Sequence, residues 1–383
     1  VAERGLTETA VRYAKAFGKA GQEKWAMKAN LYYMQAYDWE ADNMDAVKSG
    51  GPMDSVNNIL NPGRYDAVNR YGDEILRPGE NDATAKAQKW DYPGLMRFNR
   101  QGYMEKDIVD YNTYNFKTSF MTAYRPKPTG ARQFEYQVNY GMGTTVYQGD
   151  NRYSLRDIKF LQNRLEYKDK NGFLRVYATH EDAGKTYDAV FTALLMQKAA
   201  KQDDLWGGDY YSYWKNRYVP KMRKLPGYPT GDWFSNPNWF NELDAVMANN
   251  RDSLVAWHQQ CAALADRKNN WQGMPHSIQP NTYQRFEPGT ERFDSLKNAI
   301  TTLRSFGEGG SGFYDKSALY HIQGEHKFKL ADKTNFTTGF STRLYTPNSL
   351  GTIFSDTNGR VIRNHEFGVY GGIEQRSKNN KLK

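Results

Sequence analysis

From Arg132 to Val146 the chain alternates with a period of two. Phe134, Tyr136, Val138, Tyr140, Met142, Thr144 and Val146 share one parity; Gln133, Glu135, Gln137, Asn139, Gly141, Gly143 and Thr145 share the other. That period predicts a strand with one apolar face and one polar or small-residue face. The stretch is longer than the roughly 5–6 residues usual in a globular sheet. It suits a tilted membrane-crossing strand of about 9–11 residues, apolar toward lipid and polar toward a lumen. Periodicity alone leaves a long soluble strand with one solvated face as the other reading.

The same alternation recurs along the chain. Leu6–Phe17 and Lys24–Asp38 predict a hairpin about Gly18–Glu23, and Asp110–Arg125 turns through Pro126–Gly130 into the stretch above. Lys159–Tyr167 and Phe173–Glu181 flank Asn171-Gly172, a tight-turn signal, although Asn163 interrupts the apolar parity. Ser317–Leu330 and Asn335–Leu344 flank a turn at Ala331–Thr334, and Glu366–Gln375 is the last strand. Lys378-Asn379-Asn380-Lys381 predicts a further turn. The connections alternate in length. Trp39–Asp107 reads as one very long loop, Tyr147–Asp157 as a medium one, Ala183–Lys316 as a second very long one and Tyr345–Arg363 as a medium one. Within the second long loop, Tyr187–Lys201 and Phe240–Asp266 have helical spacing, the latter with Leu243, Val246, Met247, Leu254, Val255 and Trp257 along one side. Short turns at one end and long loops at the other are the habit of outer-membrane barrels. About nine strands are visible. An open sheet would leave backbone unpaired in hydrocarbon, so the chain is expected to be a middle section of a larger barrel.

Composition narrows this. Only 39% of the 383 residues are hydrophobic and mean hydropathy is −0.87, so no run approaches the ~18 apolar residues of a membrane helix. Alternating strands survive that test. Tyr (28) outnumbers Phe (19), a bias that suits membrane-interface girdles. The net charge of +9 is spread without a dense basic block, which argues against nucleic-acid binding. The single cysteine, Cys261, excludes an internal disulfide and a Cys-based metal cluster. Val1 onward shows no signal-peptide pattern.

Several segments resemble barrel regions of TonB-dependent receptors of the Bacteroidetes type, which carry a carboxypeptidase-regulatory-like domain. They are Lys24–Asn43, Asn61–Glu74, Glu105–Asn115, Asn139–Leu155, Arg175–Gly184 and Gly351–Gly359. The resemblance spans most of the chain in order and is weakest in Trp206–Arg304. It implies an all-β fold: a transmembrane antiparallel β-barrel of about 22 strands with a plugged lumen. This chain would be a partial barrel domain over residues 1–383, with long, partly helical extracellular loops at about 39–109 and 183–316. The TonB box, the plug domain and both barrel ends are missing from the pattern. The implied partners are the TonB–ExbB–ExbD system, acting through a plug outside this chain, membrane lipid, and a surface lipoprotein lid or other outer-membrane complex subunits. The implied location is the Gram-negative outer membrane.

No catalytic or metal constellation stands out, and neither an enzyme nor a cofactor is expected. His180-Glu181-Asp182 lies at a strand end where charged rim residues are routine, and His365-Glu366 is similar. The histidines His180, His258, His276, His321, His326 and His365 show no metal spacing. Asp150, Asn151 and Asp157 do not match a calcium loop. The ligand-binding candidates are the aromatics Trp206, Tyr210, Tyr211, Tyr213, Trp214, Trp233, Phe234 and Trp239, whose rings can stack on a sugar or peptide or else pack the loop's own core. Glu135, Gln137, Asn139, Arg175, His321, Gln323, Glu325 and Arg343 are expected to face the lumen, meeting a plug or passing solute. The expected function is TonB-coupled import of an oligosaccharide, peptide or metal chelate. A structural subunit of a surface or secretion complex is the alternative, and a soluble β-rich binding module a third reading.

Overall fold

The computed structural model describes residues 5–47, 57–74, 83–267 and 284–375. The turn expected at Lys378–Lys381 and His276 lie outside them. The chain divides into two compact units. One holds residues 1–39, 111–188 and 301–383, the other residues 40–110 and 189–300.

The first unit is an antiparallel sheet. Its long strands are β1 (Thr7–Phe17), β2 (Trp25–Tyr37), β3 (Asn112–Tyr124), β4 (Gln133–Gln148), β5 (Arg152–Lys168), β6 (Gly172–Asp182), β7 (Ala318–Ala331), β8 (Thr334–Thr346) and β9 (Asn364–Gln375). Each pairs with the next in chain order, a plain up-and-down meander, and a two-residue strand at Tyr187–Asp188 adds to β5. The long strands run from 11 residues in β1 to 17 in β5. The turns β1–β2, β3–β4, β5–β6 and β7–β8 fall at one end of the sheet; the long connections β2–β3 and β6–β7 fall at the other, as the alternating lengths predict.

Register fixes the faces. Phe17, Trp25, Tyr124, Phe134, Tyr167 and Leu174 are successive cross-strand partners, forming a row of aromatics near the short-turn end. Trp25 and Tyr124 lie 4.5 Å apart between ring centres, Phe134 and Tyr167 5.1 Å. Two residues along, Tyr136 aligns with Leu165, Val176, Ile322 and Phe367. This face is open: Tyr136 is 41% exposed and Phe367 74%. Asn163 sits among these apolar residues because Tyr136 donates its hydroxyl proton to the Asn163 side chain at 2.9 Å. The opposite face is more covered in the middle strands, with Glu135 at 7% exposure and His321 at 3%, while the edge strands β1 and β9 are exposed on both faces. A water-soluble sheet normally buries its apolar face, and this one does the reverse.

One connection differs from expectation. Tyr147–Asp157 is not a loop: β4 and β5 continue through it and turn at 149–151. Gly143 pairs with Ile158 but Thr145 with Leu155, so β5 carries one extra residue. Asp157 absorbs this bulge with φ 54°, a left-handed conformation Asp tolerates better than most residues. Its amide donates to Thr144 Oγ1 at 3.1 Å, and its carboxylate accepts from the Tyr114 hydroxyl at 2.7 Å. The polar signal read as a loop is a bulge.

The second unit is helical. Its helices are α1 (Lys86–Asp91), α2 (Glu105–Ile108), α3 (Ala189–Ala200), α4 (Asp203–Tyr213), α5 (Val219–Met222), α6 (Trp239–Asn249), α7 (Arg251–Ala265) and α8 (Glu291–Thr302). A π-helical segment, Trp214–Tyr218, joins α4 to α5. The single helix expected over 240–266 is two, divided at Asn250, whose side chain donates to the Val246 carbonyl at 2.8 Å. The first inserted segment packs on the second. Phe98 stacks on Tyr210 at 4.1 Å and 3°, and Trp90 meets Trp239 at 4.8 Å. Arg100 donates to the Gln197 and Lys201 carbonyls at 3.0 and 2.8 Å, satisfying the C-terminal end of α3, and pairs with Asp203 at 3.0 Å.

Candidate functional site

All eight residues expected to face a lumen lie on the polar face of the sheet. Glu135, Glu166, Arg175 and Gln323 form one cross-strand row; Gln137, Arg164, Tyr177, His321 and Arg343 form the next. Asn139 and Glu325 share their parity. Their side chains are knitted together. Arg175 donates to Glu166 at 2.6 Å, Arg164 lies 3.6 Å from Glu135, and Lys168 also pairs with Glu135. Gln137 donates to Asn139 and Asn139 to Gln162, at 2.9 and 3.1 Å. His321 bonds Ser341 at 2.9 Å, Arg343 meets Glu366 at 3.1 Å, and the Tyr370 hydroxyl donates to Glu325. The acids and bases neutralise one another across strands. The result is a polar surface whose acids and bases are paired.

The aromatic candidates divide. Trp206, Tyr210, Trp214 and Trp239 are core residues of the helical unit, each 1% exposed or less. These four take the other of the two roles expected for them and pack the core of the helical unit. Trp214 lies against His258 at 4.2 Å and Tyr218 at 5.4 Å, and its Nε1 donates to the Pro93 carbonyl at 3.2 Å. Trp206 Nε1 donates to Asp266 at 2.7 Å. The first part of the run, Trp206 to Trp214, lies on α4 and the start of its π extension, so rings spaced four residues apart share the buried side; Trp239 begins α6. Tyr211, Tyr213 and Trp233 are half-buried at the margin of this core. Phe234 is 79% exposed and stacks on Trp233 at 3.8 Å. Of the eight candidates, these four keep exposed ring surface.

His258, buried in the helical unit, is held by direct hydrogen bonds. His258 Nε2 faces the Gly94 carbonyl at 3.0 Å, so it carries the proton, and Nδ1 accepts from the Tyr210 hydroxyl at 2.6 Å. Burial lowers the His258 pKa to about 4 and pushes the Cys261 thiol up to about 12. Near the start of the unit, burial holds the Asp73 carboxyl up at about 7 against the pull of Arg70. Glu74 stands at about 8, raised by burial and then by Asp73 beside it. Among the described residues no three His, Cys, Asp or Glu side chains converge on a metal-sized site.

These shifts predict a pH dependence with two opposed parts. Below the ordinary His pKa near 6.5, the unfolded chain binds a proton that buried His258 refuses. That part of the stability falls as pH drops from about 6.5 to about 4. Asp73 and Glu74 act oppositely: the folded chain keeps protons that the unfolded chain has lost above pH ~4, so stability falls as pH rises toward 8. Between about pH 6.5 and 8.5 only the second part operates, and the helical unit is expected to lose roughly 1–3 kcal/mol. Denaturant unfolding followed by tryptophan fluorescence checks this. Asp73→Asn with Glu74→Gln flattens the slope; an unchanged slope in the double variant refutes the assignment.

No protein-family model matches the chain, and comparison with curated proteins finds no match either.

Proposed function

We propose that the chain is part of an outer-membrane β-barrel receptor of the TonB-dependent kind. It binds a solute through its long insertions and passes it to the periplasm when TonB acts on a plug. The observation that carries this reading is the two-faced sheet: an exposed apolar face with a row of aromatics near its short-turn end, and a charge-paired polar face that is more covered in the middle strands. Lipid is the solvent in which that arrangement is favourable, with Trp and Tyr rings at the interface. The strands exceed the ~9–11 residues that cross a bilayer when tilted, and the segregation of long connections gives the outside-facing end. Among the described residues β1 and β9 each pair on one side only. Since unpaired edges are not tolerated in hydrocarbon, the reading includes further strands that cover both edges.

Membrane fractionation tests it. The protein is expected to stay with the outer-membrane fraction through a carbonate wash, to need detergent for extraction, and to migrate differently on gels before and after boiling. Recovery in buffer without detergent would sink the barrel and leave a soluble binding module. Loss of solute-dependent growth on deletion separates import from a purely structural role.

A further inference from the structure

The helical unit contains a cleft of about 480 Å³ that is lined by three arginines, Arg64, Arg70 and Arg251, and, among the described residues, by no acidic one. Tyr65, Gln101 and Gln259 add polar groups to the same wall. Arg70 and Arg251 are held in place by backbone. Arg70 donates to the Tyr65 carbonyl and pairs with Asp73 at 2.5 Å, while Arg251 donates to the Leu60 carbonyl at 2.6 Å. Arg64 is different. Its Nη1 is buried without a hydrogen-bond partner, and its side chain forms no ion pair among the described residues. Arg70 and Arg285 lie close enough to repel it. The attractive carboxylate of Asp266 is already bonded to Trp206.

Its backbone is also costly. Arg64 has φ 77°, a left-handed conformation that a non-glycine residue keeps only when its surroundings impose it. They do so here. Asn61 donates from Nδ2 to the Arg64 carbonyl at 2.7 Å and to the Arg97 carbonyl at 3.0 Å. Gly63 brings the chain so close to Arg97 that an added Cβ would sit 2.1 Å from the Arg97 oxygen. A strained backbone that places a guanidinium without a direct hydrogen-bond partner beside a cleft lined by further arginines marks a place for an anion.

We propose that this cleft binds an oxyanion group, a carboxylate or a phosphate, carried by a small polar solute, with Arg64 as its principal partner and Arg251 as the second. That this solute is also the transported one rests on the receptor reading above; the cleft itself does not. Arg64 supplies the paired N–H geometry that planar carboxylates and phosphates accept, and Tyr65 and the two glutamines offer hydrogen bonds to hydroxyls.

The test is titration of the full chain in detergent with glucuronate, inorganic phosphate and glucose, followed by calorimetry. Glucuronate or phosphate is expected to bind, and glucose is not; which oxyanion binds more tightly separates a carboxylate solute from a phosphorylated one. Arg64→Gln is expected to weaken binding roughly tenfold or more, as loss of a charged hydrogen bond does. Arg251→Gln, which leaves the Arg64 turn intact, is expected to weaken it as well, with the near-ultraviolet circular dichroism of both variants unchanged. Absence of binding by either oxyanion, or equal binding by wild type and both variants, overturns the proposal. A protein that needs detergent but binds no oxyanion refutes the cleft alone, whereas oxyanion binding by a protein soluble without detergent refutes the receptor reading alone.

Discussion

On the receptor reading, Val138→Arg is expected to abolish assembly of the sheet in the membrane, while Asn139→Arg, one residue further, leaves assembly near the wild-type level. Val138 lies midway between Phe134 and Met142 on the open face, beside Phe120 and Asn163. A guanidinium there would face hydrocarbon at a cost of about 2–4 kcal/mol near the bilayer midplane. Asn139 points to the opposite face, between Ser119 and Gln162, where an added charge joins a hydrated network. The measurement is the folded fraction in outer-membrane extracts, read from the mobility shift on boiling. Equal loss in the two variants, or loss only in Asn139→Arg, would show that the faces are assigned the wrong way round or that no lipid face exists. In a soluble sheet with an open apolar face, Val138→Arg would instead improve solubility.

The second large effect belongs to the helical unit. Trp214→Ala is expected to cost about 3–5 kcal/mol, the usual range for removing a large buried aromatic. Trp214 is fully buried. It contacts His258, Tyr218 and Trp257, and its indole nitrogen satisfies the Pro93 carbonyl. Truncation removes those contacts and leaves a cavity in a core built from both inserted segments. Limited proteolysis should then cut within residues 189–267 while the β-sheet signal in far-ultraviolet circular dichroism persists. Phe234→Ala, at an exposed position, is the control and should change proteolysis little. If Trp214→Ala resists protease as wild type does, the aromatic cluster is not the core that holds the unit.

The alternation of side chains determined the sheet. Period two placed the long strands, paired them in order, and put Glu135, Gln137, Asn139, Arg175, His321, Gln323, Glu325 and Arg343 on one face, because a strand's faces follow from parity and the short turns leave little freedom in register. Parity also said which face is apolar, since that is a property of the residues alone. It failed at Asp157, where one inserted residue shifts the register and a polar bulge reads like a loop. The long insertions were less legible. Their aromatic run fits a mobile ligand platform and a packed helical core equally well, because Trp and Tyr serve both roles. Only the tertiary structure decided it, by bringing Phe98 and Trp90 of one insertion against Tyr210 and Trp239 of the other, more than a hundred residues away. The arginine cleft was invisible for the same reason. Asn61-Pro62-Gly63-Arg64 announces a turn, but that Arg64 forms no direct ion pair among the described residues and shares a cleft with Arg251 is a fact of packing between distant segments, which no local pattern encodes.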